Sequence, residues 1–244
     1  MLYRLQRSQH AERFVRKGAL LLLAWLGETL RPTRDVGLLG SGNLDDDDLL
    51  AIFREICAIP VEPDATTFDD KSVAIEIIRE GNAYGGKRIN LRGQIGMARV
   101  SIQLDIRTGD AITPTSVWMG YPVLLEFPAP RLRAYTRETV LAEKLQAMVL
   151  LGVRSSRMKD YFDVRALLRE GNVDESILAK AIAATFARRN TPLSKGVPNG
   201  LSHACYDDAA RQAQMERIPD TKSPSSVGGE CGSRRNTRTT HAGH

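Results

Sequence analysis

Apolar positions along this chain change their period several times. Phe14 and Val15 predict a short strand, Gly18 breaks it, and Ala19 to Leu26 are mostly strong helix formers. Gly18 is therefore expected at a strand-to-helix turn. In RPTRDVGLLG (31–40) the residues alternate, Val36 and Leu38 facing one way and Asp35 and Gly37 the other, as in a strand with one polar face. A glycine inside a strand usually marks a bulge or a close backbone approach. NLDDDDLLAIFREICAI predicts a helix: Asn43 or Asp45 can cap it, and acids fill its first turn. Its Leu49, Ile52, Phe53 and Ile56 recur at i, i+3, i+4 and i+7, a stripe facing a core.

Three strands are expected next, in KSVAIEIIRE (71–80), GKRINLRGQIG (86–96) and ARVSIQLDIRTGD (98–110). The last alternates Val100, Ile102, Leu104 and Ile106 against Ser101, Gln103, Asp105 and Arg107, so its polar face should meet a cleft or solvent. Residues 113–135, rich in Pro and aromatics, predict an irregular crossing segment. From Thr136 the pattern is helical over three segments, with Gly152 and Gly171 where helix-ending glycines belong. Strands followed by helices predict an α+β fold, with a core over 1–130 and a helical C-terminal layer or subdomain over 131–210. Beyond about Arg211 there is little to bury, and 211–244 is expected to be a disordered tail.

Composition narrows this picture only slightly. The 244 residues are 42% hydrophobic and 26% charged, the balance of a soluble globular protein. The net charge of +5 would suggest a nucleic-acid partner, but it is concentrated at the ends. Residues 1–17 carry +4 and 211–244 carry +3, leaving −2 between them. Cys57, Cys205 and Cys231 show no metal-binding spacing, and Cys57 is expected to be a small core residue in a reducing compartment. The apolar run GALLLLAWLG is too short to span a bilayer and no convincing leader precedes it, so a cytoplasmic location without membrane contact is expected.

Three features could carry chemistry. Backbone N–H groups at Gly18 and Ala19 could seat a phosphate, or the glycine could simply permit the turn. Asp35 and Asp105, on polar faces of two strands, could hold Mg²⁺ together with nucleotide phosphates, or could be solvated surface acids. Lys144 lies i+3 from Leu141 and i+4 from Val140 beside an apolar surface, while Asp160 and Asp163 share a helix face. Lys159 can pair with Asp163 at i, i+4, so that helix could equally be a salt-bridged surface element. None of the four histidines stands in a catalytic or metal-binding arrangement.

In order along the chain, FVRKGALLL (14–22), RPTRDVGLLG (31–40), IQLDIRTGD (102–110), LAEKLQAMV (141–149) and SRMKDYFDV (156–164) resemble the abortive-infection toxin nucleotidyltransferases of the AbiEii/AbiGii type. These are a bacterial branch of the polymerase-β-like nucleotidyltransferases, and the resemblance spans most of residues 3–214. It implies a nucleotidyltransferase-like mixed-sheet core and Mg²⁺-dependent transfer of a nucleoside monophosphate from an NTP. It also implies the 3′ end of tRNA as acceptor and a cognate antitoxin in a type IV pair. By position, Gly18 and Ala19 match the turn facing the triphosphate, Thr33 a Ser/Thr close to it, and Asp35 the first carboxylate. Asp105 matches the acid that activates the attacking hydroxyl, Lys144 a phosphate contact, and Asp163 the helical motif. Arg157, Lys159 and Asp160 belong to that same motif, as phosphate contacts or structural residues.

The chain departs from the family pattern in three places. The first acidic motif, D-x-D, reads Asp35-Val36-Gly37, so the metal-binding partner of Asp35 is missing and transfer should be impaired. A catalytically inactive remnant that binds nucleotide, RNA or an antitoxin is the alternative. Relatives usually carry more residues before the equivalent of LYRLQRSQHAERF, so an N-terminal helical portion is expected to be missing. Where they continue with a Trp-containing helix end, this chain reads MERIP. A one-base shift of its codons can give Trp-Asn-Ala-Phe, so the tail is read as a frameshift product.

Overall fold

The structure, a computed structural model, describes residues 1–27, 33, 35–78, 85–123, 126–152, 157–203 and 207–216. Among these residues, strands β1 (Phe14–Lys17), β2 (Asp35–Gly40), β3 (Thr66–Ile78), β4 (Gly86–Ile95), β5 (Ala98–Thr108), β6 (Val117–Gly120) and β7 (Arg131–Ala134) form one sheet. Their order is β3-β4-β5-β2-β1-β7-β6. The sheet is mixed: β2 runs parallel to β5 and β1 parallel to β7, while β1–β2, β3–β4, β4–β5 and β6–β7 are antiparallel.

Each face of the sheet buries its own core. On one face Leu38, Ile89, Leu104 and Ile106 pack against Leu49, Ile52, Phe53 and Ile56 of α3 (Asp46–Ala58), with Leu5 of α1 (Leu2–Arg7) at the margin. Asp45 caps α3, its carboxylate accepting from Asp48 N–H at 2.9 Å. Cys57 is buried there, as expected, and burial pushes its thiol up to about 11, which leaves it unreactive. On the other face Val15 and Leu39 meet α2 (Leu20–Leu26), α4 (Arg137–Leu151) and α5 (Met158–Glu170) through Leu21, Leu22, Val140, Leu141, Val164 and Leu167. Helices α6 (Glu175–Arg188) and α7 (Ala209–Glu216) complete the helical part. Gly152 and Gly171 stand at the ends of α4 and α5 with φ of +52° and +76°, positive values that glycine accepts most easily, and Gly171 is in the left-handed helical conformation.

The α+β expectation holds, with four differences in detail. Residues 113–135 contain β6 and β7, each four residues long and set among Pro114, Pro122, Pro128 and Pro130, too short for an alternation to show. Because β7 pairs with β1, the sheet runs past the expected domain limit at 130. Strand β3 begins at Thr66, and a register shift between Asp69 and Ala74 breaks its pattern. Residues 209–216, at the start of the expected tail, are helical; the remainder of that tail, with its frameshift reading, lies outside the described residues.

Candidate active site

The sheet register brings four residues into one row. Arg88 of β4 is opposite Asp105 of β5, Asp105 is opposite Gly37 of β2, and Gly37 is opposite Lys17 of β1. Residues paired across strands share a face, so the row lies on the side of the sheet that carries α2, α4 and α5. Asp35, two residues before Gly37, points to this same face and is opposite Gln103. The two strand carboxylates expected from sequence are therefore neighbours.

Arg88 joins them. Its Nε donates to Asp105 Oδ1 at 2.8 Å and its Nη2 to Oδ2 at 3.0 Å, a two-pronged pair. Nη2 also lies 3.8 Å from Asp35 Oδ1. Hydrogen bonding to Asp105 raises the Arg88 pKa further. The site is a half-open one: the Asp35 side chain is 45% exposed, Arg88 26% and Asp105 21%.

Gly37 fills the middle of the row without a side chain, and the chain has closed over it. A Cβ built there would stand 2.9 Å from the Lys17 carbonyl oxygen and 3.4 Å from Lys17 Cγ. Gly18, at φ +81°, turns the chain from β1 towards α2, and a Cβ on it would come within 4.0 Å of Gly37 Cα. The turn at Gly18 and Ala19 thus lies directly against β2, beside the carboxylates. The first amides of any helix precede its hydrogen-bond ladder, so this is where N–H donors are available. Thr33 lies two residues before β2, half-buried, between residues outside the described set.

A buried ionic network adjoins the row on the Lys17 side. Lys17 Nζ donates to Asp110 Oδ2 at 2.6 Å and to Glu143 Oε1 at 2.7 Å. Arg189 Nη2 donates to the same two carboxylates at 2.9 Å each, and Arg189 Nη1 to Gln146 Oε1 at 2.9 Å. Burial disfavours ionised Asp110, but Lys17 and Arg189 outweigh it and hold the carboxyl well below the usual range. Burial first, and then the adjacent Glu143 and Asp110 carboxylates, push the Tyr135 hydroxyl well above its ordinary value. Sequence reasoning missed these residues, although Lys17 immediately precedes Gly18, Asp110 closes IQLDIRTGD and Glu143 precedes Lys144. Arg189 carried no signal.

The helical motif forms a second centre. Lys144 Nζ donates to Asp160 Oδ1 at 2.8 Å and to Asp163 Oδ2 at 2.7 Å, and Arg157 Nε meets Asp160 Oδ2 at 3.0 Å. Asp163 is fully buried. The Lys159–Asp163 pair suggested by spacing gives way to Lys144–Asp163, because Asp163 faces α4 while Lys159 is exposed. As placed, Lys144 clamps α5 to α4. Glu143 and Lys144, consecutive on α4, connect the sheet site to this centre.

Residues 1–224 match the sequence profile of the family described as "Nucleotidyl transferase AbiEii toxin, Type IV TA system". The chain belongs to the AbiEii nucleotidyltransferase toxin family. Among solved structures, MenT4, the nucleotidyltransferase toxin Rv2826c from Mycobacterium tuberculosis H37Rv, is similar with a TM-score of 0.53 and 17% identity. That likeness covers 89% of this chain and 78% of MenT4, and supports the nucleotidyltransferase fold. JHP933 from Helicobacter pylori is similar with a TM-score of 0.43 and 15% identity, over 88% of this chain and 89% of that one. No curated protein sequence matches the chain.

An AbiEii nucleotidyltransferase is expected to use a divalent ion, and the donor set here does not fit one. Mg²⁺ needs carboxylate oxygens free to enter an octahedral shell. Both Asp105 oxygens are engaged by Arg88, and position 37 supplies no oxygen and has no room for one. Among the described residues no group of three or more His, Cys, Asp or Glu side chains is placed to hold a metal. Nor is any helix among them long and apolar enough to cross a membrane.

Proposed function

We propose that this AbiEii-family chain transfers a nucleoside monophosphate from an NTP to the 3′ end of an RNA, with tRNA the acceptor, at a rate held down by Gly37. The observation that carries this reading is the close grouping of Asp35, Asp105 and the Gly18–Ala19 turn on one sheet face. In the reaction the acceptor hydroxyl oxygen bonds to the α-phosphorus, the bond to pyrophosphate breaks, and the hydroxyl proton goes to Asp105. Catalysis of this kind depends on placing the attacking oxygen in line and meeting the charge that develops. Amides at Gly18 and Ala19 face the triphosphate, and Thr33 lies at its side. Lys144 holds Asp163 and Asp160 in place, so that the exposed Arg157 and Lys159 at the start of α5 can meet phosphates.

A divalent ion would supply the charge neutralisation that the family chemistry implies, but the residues present do not receive it as they stand. Two features of the row support a low rate: position 37 carries no carboxylate, and Arg88 donates to both oxygens of Asp105, the proton acceptor of the reaction. The chain acts in the cytoplasm, and a cognate antitoxin, as in other type IV pairs, is its partner.

The test is incorporation of α-labelled NTPs into total tRNA by the wild type and by Asp105→Asn. Label that appears with the wild type and is lost in the variant supports the reading. Absence of label with all four NTPs, by a protein that still binds nucleotide, refutes transfer and leaves a binding protein.

A further inference from the structure

We propose that Arg88 is a built-in substitute for a divalent cation: it ties the strand carboxylates Asp105 and Asp35 together and keeps a metal ion off them. The inference rests on the assignment of those carboxylates to the site. Its readout is metal binding, so it stands or falls independently of whether the chain transfers nucleotides.

Three observations carry it. First, Arg88 occupies both oxygens of Asp105 in the plane where a cation would coordinate, and the same guanidinium nitrogen that reaches Oδ2 lies 3.8 Å from Asp35. Second, Arg88 does not arrive by a chance swing of a surface side chain. It is the register partner of Asp105 in a β4–β5 ladder paired without interruption from Lys87 to Ile95, so its Cα is fixed beside the carboxylate. Third, Gly37 alters the charge balance. Two carboxylates and one guanidinium leave a single negative charge, whereas a third acid at 37 would leave two, a demand that one arginine cannot meet. A planar guanidinium with a fixed fork matches a carboxylate in two hydrogen bonds, which a spherical lysine ammonium cannot do. On the β3 side Arg88 meets Glu76, its register partner there, which strengthens the pull on the guanidinium from that strand.

The experiment is titration with Mn²⁺ alone, the free ion followed by its paramagnetic resonance signal, on the full chain. The wild type should bind Mn²⁺ weakly. Arg88→Gln should bind it about thirtyfold more tightly, the Coulomb penalty of one unit charge about 4 Å from a dication in a water-like medium. Asp105→Asn in the Arg88→Gln background should abolish the gain. Arg88→Met, which also removes the charge, should show a similar gain and provides a second variant should Arg88→Gln not fold. Equal affinity of the wild type and a folded Arg88 variant overturns the proposal. So does a gain that survives Asp105→Asn, or tight binding by the wild type that Asp105→Asn alone removes.

Discussion

Adding a side chain at position 37 should destabilise this protein. Ordinarily a strand glycine replaced by alanine gains about 0.5–1 kcal/mol, because glycine loses more backbone freedom on folding. Here the new Cβ would stand 2.9 Å from the Lys17 carbonyl oxygen, a backbone atom held in the β1–β2 pairing. Relief requires β1 to move, and forcing extra atoms into a closed site costs about 1–3 kcal/mol. Lys17 cannot move freely, since its ammonium is anchored to Asp110 and Glu143. The clash therefore wins, with a net loss for Gly37→Ala of about 1–2 kcal/mol. In a domain of this size that lowers Tm by roughly 2–8 °C. Gly37→Asp should lose more in the absence of metal, because its carboxylate joins Asp35 and Asp105 on one face. Thermal and urea unfolding of the wild type and both variants decide the matter. If Gly37→Ala equals or exceeds the wild type in stability, β1 and β2 are not in the close approach described, and the space for a second acid is still there.

Asp110→Asn should lose about 3–5 kcal/mol in urea unfolding, because it removes one partner from a buried ionic network and leaves Lys17 and Arg189 to share the one carboxylate of Glu143. The depressed Asp110 pKa gives stability that is present above the unfolded value of about 3.9 and is lost as pH falls through the lower folded value. The acid limb of a stability–pH curve should therefore flatten in the variant, and an unchanged limb counts against the network. Lys144→Met should lose about 3–5 kcal/mol by removing the ammonium that Asp160 and the buried Asp163 share, and Asp163→Asn in that background should recover part of it. Arg16 is buried, its guanidinium nitrogens have no hydrogen-bond partner among the described residues, and its guanidinium lies 4.8 Å from the centre of the Tyr121 ring. The stacking is worth about 2 kcal/mol when desolvated, less than the several kcal/mol of burying the charge, so Arg16→Met should raise Tm, and a clear fall would refute that balance.

Periodicity revealed what depends on near neighbours in the chain. The alternation in β2 placed Asp35 and Gly37 on one face, and the stripe in α3 placed Leu49, Ile52, Phe53 and Ile56 in the core. Pairing between distant segments was not legible. Nothing local tells Arg88 that Asp105, 17 residues on, will be its register partner, nor Lys17 that Glu143 lies 126 residues away. Spacing also offered Asp163 a partner on its own helix, Lys159, but tertiary packing turned it towards Lys144 instead. Strands β6 and β7 were missed because their four residues are held by neighbours in the sheet and not by an alternating pattern of their own.

Gly37 and Arg88 are best understood together. A row of three carboxylates with Asp35, residue 37 and Asp105 on one face would carry three negative charges, and such clustering is tolerated only with a multivalent cation between them. With glycine at 37 the charge falls to two, Arg88 neutralises half of it through bonds of 2.8 and 3.0 Å, and the face no longer requires an ion to be stable. The vacated volume does not become a cavity, because the Lys17 carbonyl and the Gly18 turn close against it. Lys17 is then held by Glu143, and the residue after Glu143 clamps Asp160 and Asp163. Position 37 thus adjoins β1, whose Lys17 is ion-paired to Glu143 of α4, and the next residue of α4, Lys144, holds the helical motif by ion pairs of 2.8 and 2.7 Å. An acid added at position 37 alone would leave Arg88, Lys17 and the Gly18 turn in the arrangement that suits glycine. Removing Arg88 alone therefore recovers the metal affinity of Asp35 and Asp105, whereas a face of three acids requires changes at positions 37 and 88 in the same molecule.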